Sequence, residues 1–169
     1  VDATSIGRVI DALTAVAKAP ANADLFADVT VTDGPWPESD EPDNLVMIGL
    51  TAQGDAESGG TMTPRTLGGS YGQIQEDYGL VCQIRCWTGS AAATAQKTVR
   101  DKALGLFDFY KDLVHADSTI GRQYVPPTSG QLPTMWAEQN GLTQTDADVE
   151  TGRIAIVQFT IHVSNSLNS

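Results

Sequence analysis

From Ile74 to Cys86 the even-numbered positions read Ile74, Glu76, Tyr78, Leu80, Cys82, Ile84 and Cys86, while Gln75, Asp77, Gln83 and Arg85 fill odd positions between them. Apolar and polar residues that alternate with period two belong to a strand with one buried face; a helix would repeat at 3.6. Val81 and Trp87 break the alternation. A long strand of this kind commits the chain to a sheet that something apolar must cover. It also settles what the two cysteines can do. Four positions apart on a strand, Cys82 and Cys86 lie about 13 Å from each other at ~3.3 Å per residue. A disulfide needs Cα atoms within about 7 Å. The chain has no third cysteine and no histidine nearby, so the spacing predicts two reduced, buried side chains that pack as small hydrophobes, without a disulfide or a zinc ion.

The cover for the sheet is legible on either side of that strand. Ile6, Val9, Ile10, Leu13, Val16 and Ala17 recur at helical spacing, with Thr4 or Ser5 as a cap and Pro20 as a stop. A second, longer helix is predicted over 90–114, capped by Thr88 or Ser90. Its buried face is drawn by Ala92, Gln96, Val99, Ala103, Leu106, Phe107, Tyr110, Leu113 and Val114. Further strands are expected at Asp28–Thr32, Leu45–Thr51, Met135–Thr145 and Arg153–Ser164. In the last, Ala155, Val157, Phe159, Ile161 and Val163 share one face, and Gln158, Thr160 and His162 the other. An Asp33-Gly34-Pro35 turn leads into an acidic loop at 36–44. Residues 52–72 are glycine-rich and read as a long loop or a loose hairpin, and 115–130 is irregular around Pro126-Pro127. The expected fold is α+β: one domain over 1–169, with a single, mostly antiparallel sheet packed by two helices and joined by long loops. A chain of 169 residues can bury a core without staples. No apolar run approaches the ~20 residues that span a bilayer, and the first twenty residues do not form a signal-peptide pattern.

Chemistry is sparse. The net charge is −11, with 15 Asp against 4 Lys, which argues against gripping nucleic acid by counterion release. It is compatible with DNA passing a repulsive wall. Gly68–Gly72 (GGSYG) matches the G-x-S-x-G nucleophile elbow, but no strand leads into it and a strand, not a helix, follows. The chain's two histidines, His115 and His162, are each explained without catalysis: His115 at a helix C-terminus, His162 on a strand. There is no phosphate-binding glycine loop, the pair His115 and Asp117 is too few ligands for a metal, and the acidic run Glu38, Asp40, Glu41, Asp43 lacks calcium-loop spacing. The expectation is a protein that is not an enzyme and needs no cofactor. Trp36, set between two prolines in a polar loop, is the best candidate for an exposed contact residue.

The order of elements resembles the tail terminator (tail completion) proteins of long-tailed bacterial and archaeal viruses. The resemblance rests on the amphipathic helix at 6–19, the VTDGP turn at 31–35 followed by LVMIGL, the run QEDYGLVCQIRCWTG (75–89) that feeds directly into AAATAQKTVRDKALGLFDFY (91–110), and the closing GRIAIVQFTIHVSN (152–165). It implies a homohexameric ring in the virion neck that caps the tail tube, stops its polymerisation and joins tail to head, assembled in the host cytoplasm. Its partners would be other copies of itself, the tail tube protein and a head-proximal connector, with genomic DNA running through the lumen unbound and no membrane involved. A ring repeats one contact between two unlike patches, which helix edges or a strand added to a neighbour's sheet would supply. Trp36, Gly69, Tyr71, Glu76, Arg85 and Arg100 are the candidate interface residues. Acidic loops at 36–44 or 146–150, facing the hole, would let DNA slide. Alternatives are another neck or connector protein, a small binding module such as a carbohydrate-binding domain, and an enzyme with Ser70 as nucleophile.

Overall fold

The computed structural model describes residues 5–37, 40–50, 60–64, 73–90, 92–124, 132–145 and 152–168. The chain forms helix α1 (Ile6–Ala17), a 3-10 turn at Pro20–Asn22, strands β1 (Thr30–Asp33), β2 (Asn44–Leu50), β3 (Gly60–Pro64) and β4 (Gln73–Thr88), helix α2 (Ala95–Ala116), and strands β5 (Thr134–Thr145) and β6 (Arg153–Asn168). The fold is α+β, built on one mixed sheet in the order β1-β2-β4-β6-β5. Among the described residues only β1 and β2 run parallel; every other pairing there is antiparallel. The spine is the pair β4 and β6, which stay in register over sixteen residues from Gln73–Asn168 to Thr88–Arg153.

The period-two reading of β4 holds. Glu76, Tyr78, Leu80, Cys82, Ile84 and Cys86 are buried on one face and meet Ala155, Val157, Phe159, Ile161 and Val163 of β6. Both helices cover this face: α1 against β1 and β2, α2 against β4, β5 and β6. The core between them is aromatic at its centre, with Tyr110 set among Phe26, Phe109 and Phe159 at ring separations of 5.2–6.2 Å. Cys82 and Cys86 are free and buried. Burial pushes the Cys82 thiol up to about 12 and the Cys86 thiol to about 11, so neither is a nucleophile near neutral pH.

β2 is buried along its whole length, because it is covered on both faces. Val46 and Ile48 join the main core, whereas Leu45, Met47 and Leu50 form a small second cluster on the opposite face with Val81 and Trp36. Trp36 supplies cover on that side, from the connection that carries the chain from β1 back to start the parallel β2. This connection begins at Gly34, whose φ of +78° is left-handed and whose amide donates to the Ile48 carbonyl at 2.6 Å.

Three expectations need correcting. The glycine-rich 52–72 stretch contains a strand: β3 pairs with β4 from Gly60–Tyr78 to Pro64–Ile74. It thereby takes the same edge of β4 that β2 occupies further along, and the loose-hairpin reading applies to this part; 51–59 and 65–72 lie outside the described residues. Helix α2 starts at Ala95 with Thr94 as N-cap residue, not near residue 90, and Ala92, expected inside, is exposed. The Thr88 and Ser90 hydroxyls instead accept the amides of Ser90 and Ala92. The chain leaves the sheet at Thr88 and needs these residues to climb to the helical layer. Strand β6 continues to Asn168, four residues beyond the predicted end, because β4 continues opposite it.

Candidate interaction surfaces

The four candidate interface residues that the structure describes, Trp36, Glu76, Arg85 and Arg100, do not form one patch. Gly69 and Tyr71 lie outside the described residues, as do Ser70 and the 146–150 acidic turn. Glu76 is 1% exposed and faces the start of α1. Its two carboxylate oxygens accept the Ser5 amide at 3.1 and 3.0 Å, and Oε2 accepts the Ser5 hydroxyl at 2.7 Å. A carboxylate placed here satisfies donors that the first turn leaves open and complements the positive end of the helix. Because the Ser5 proton goes to Glu76, the Tyr78 hydroxyl 2.9 Å away donates to Ser5 Oγ. Alongside, Asn165 Nδ2 donates to the Tyr124 hydroxyl at 2.7 Å. Glu76 is thus the even-numbered β4 position that ties α1 to the sheet. A carboxylate among six apolar positions on a buried face was the sequence signal for that role.

Trp36 and Arg85 share the outer face, away from the helices. Trp36 is half-buried on the Leu45, Met47 and Leu50 cluster, and its indole N–H donates to the Asp40 carbonyl at 3.1 Å. Arg85 pairs with Glu41 at 2.5 Å. Both therefore hold described parts of the connection between β1 and β2, at Trp36 and at Asp40–Glu41, against the sheet. Arg85 also lines a cleft of about 420 Å³ with Asp40, Glu41, Pro42, Asp43, Trp87 and Ile154. Arg100 projects from α2, on the far side of the sheet, and pairs with Asp101 at 3.2 Å.

What the sequence reading missed is the character of the β5 edge. Among the described residues five large apolar side chains are exposed, and three of them, Leu132 (72%), Trp136 (47%) and Leu142 (37%), lie on or just before β5. Trp136 is stacked flat on the His162 imidazole, 4.9 Å between centroids and 15° between planes, and His162 Nε2 lies 3.0 Å from Glu138. Gly79 sits opposite His162 in β4, where a Cβ would come within 2.9 Å of Thr160 Cγ2 and into ordinary contact with the imidazole at 3.8 Å. Trp136 and Ala137 also line a groove of about 280 Å³ with Lys111, Asp112 and His115 of α2. The available signal was the composition of 132–145, LPTMWAEQNGLTQT, which holds a single charged residue in a strongly acidic chain.

Among the described residues no group of three or more His, Cys, Asp or Glu is placed to hold a metal ion, and no helix is long and apolar enough to cross a membrane. Comparison with protein-family models and with curated proteins finds no match to this chain.

Proposed function

We propose that this chain is a structural subunit of a homohexameric ring at the virion neck, a tail terminator that caps the tail tube and joins it to the head. The reading rests on the order of elements: an amphipathic helix, a turn into a buried strand, a sixteen-residue strand passing after a short turn into the long helix, and two closing strands. It is supported by the shape of the sheet. The sheet ends in two unlike edges, β5 on one side and β1 with β3 on the other, and a ring needs two different complementary patches on every subunit. The surplus of acidic residues supports a lumen through which DNA passes without sticking.

The test is to mix the purified chain with polymerised tail tubes and view the ends by electron microscopy. A sixfold ring of about 107 kDa, six copies of 17.9 kDa, seated on one tube end is the expected result. Tubes that keep growing with no density at their ends overturn the reading. So does finding the chain within particles but away from the head–tail junction, or an assembled lumen lined by Arg and Lys.

A further inference from the structure

We infer that the β5 edge is where one copy of this chain docks on the next, by adding a strand edge of the neighbour to β5. The inference rests on the self-assembly part of the function proposed above and gives that contact a location. Among the described residues β5 pairs only with β6, so one side of its backbone is open along twelve residues, about 40 Å at ~3.3 Å per residue. An edge of that length invites pairing, and proteins that keep such an edge free blunt it with lysine, proline, extra charge or short length. Strand β5 has no lysine and no proline, and its one carboxylate, Glu138, is engaged by His162. A single irregularity between Gln139 and Gly141 is the only interruption.

The side chains beside this open backbone fit the same role. Leu132, Trp136 and Leu142 stand out along it, and the groove under α2 offers a pocket next to Trp136 and Ala137 for alternate side chains of an added strand. Trp136 is held in place by its stacking on His162, which gives a rigid aromatic anchor at small entropic cost. Charge selects the occupant. The chain carries −11, so two copies repel wherever their carboxylates meet. The β5 edge carries one carboxylate, Glu138, which meets His162, and in the groove Lys111 is paired with Asp108 and lies 3.9 Å from Asp112. A second copy that presents β3 (GTMTP), an uncharged strand on the other margin of its sheet, brings no further carboxylate to this edge.

The experiment compares wild type, Leu132→Glu/Leu142→Glu and Thr98→Glu by sedimentation velocity across a concentration series, with hydrogen exchange of the β5 amides on the same samples. Leu132 is 72% and Leu142 37% exposed in the single chain, and circular dichroism and a melting curve establish that the double variant keeps the monomer fold. Self-association of wild type and Thr98→Glu is expected, with slow β5 exchange in the associated form. In the double variant the concentration needed for association rises by about tenfold or more, and β5 exchange is fast. A double variant that associates as well as wild type overturns the location and leaves the ring proposal standing. Wild type that stays monomeric at every concentration overturns the inference, whatever happens on tail tubes. Association that stops at two copies supports the β5 contact and counts against a sixfold ring.

Discussion

Tyr110 lies at the centre of the core with no exposed surface, yet its hydroxyl has no hydrogen-bond partner among the described residues. Burial, with Cys82 beside it, pushes the phenol far above its usual range, so the group is a neutral, unsatisfied O–H. Replacing Tyr110 by Phe keeps the ring and its contacts with Phe26, Phe109 and Phe159 and removes only the oxygen. An unpaired buried hydroxyl costs about 1–3 kcal/mol. The void left by one oxygen, of order 15 Å³, returns about 0.4 kcal/mol at ~24 cal/mol per Å³. Tyr110→Phe is therefore expected to stabilise the fold by about 1 kcal/mol, and a domain of this size then gains about 2–4 °C in melting temperature. Urea unfolding followed by circular dichroism, with the slope m compared between variants, measures the difference. A variant less stable by about 1 kcal/mol or more, at unchanged m, refutes the reasoning: the hydroxyl would then be satisfied, for example by a buried water.

The Ser5–Glu76 pair is open to a double-mutant cycle. Ser5→Ala and Glu76→Gln each lose about 1.5–3 kcal/mol, and the double variant loses clearly less than the sum, as charge-assisted hydrogen bonds within one buried cluster require; additivity in urea titrations would separate the two residues. Gly152 has φ +109°, and a Cβ there would sit 2.1 Å from the Thr88 carbonyl oxygen, so Gly152→Ala should cost at least about 2 kcal/mol by the same measurement. Cys82 and Cys86 should resist a thiol reagent at pH 8 in the native protein and react as two thiols in urea. Because both thiols titrate higher when folded, they favour the fold fully below their free value of 9.0, and this contribution is lost as pH rises from there through about 11 and 12. Unfolding curves recorded from pH 8 upward should therefore show falling stability, with a shallower slope in Cys82→Ala.

The elements whose two faces differ were legible in the sequence. Strands β4 and β6 alternate so regularly that facing, burial and the inert cysteines all followed, and α1 and the body of α2 could be placed from apolar spacing alone. What escaped has physical causes. The strand at Gly60–Pro64 is a weak strand former, and it forms because β4 extends past the end of β2 and leaves an edge to fill. The start of α2 depended on the distance between sheet and helical layer, which no local residue encodes. Trp36 read as a free contact residue because its loop is polar; the apolar cluster it covers comes from β2, whose uninterrupted apolar run conceals that its two faces belong to different layers. The β5 edge was missed for a related reason. Exposure of Leu132, Trp136 and Leu142 follows from β5 being last in the sheet, a property of strand order and not of the strand itself. The interface candidates picked for charge, Glu76, Arg85 and Arg100, all have partners within the chain.

Strands β2 and β3 lie end to end on one side of β4, and each is anchored by its own set of ladder bonds. In effect β4 acts as a splint across a break. The length of chain joining the two pieces is then decoupled from the register of either, so a tag or small domain spliced between Leu50 and Gly60 would hang from two fixed points without straining the sheet. A protease cut at the same place would leave both fragments clasped to their common template, and the fold would survive as a nicked molecule.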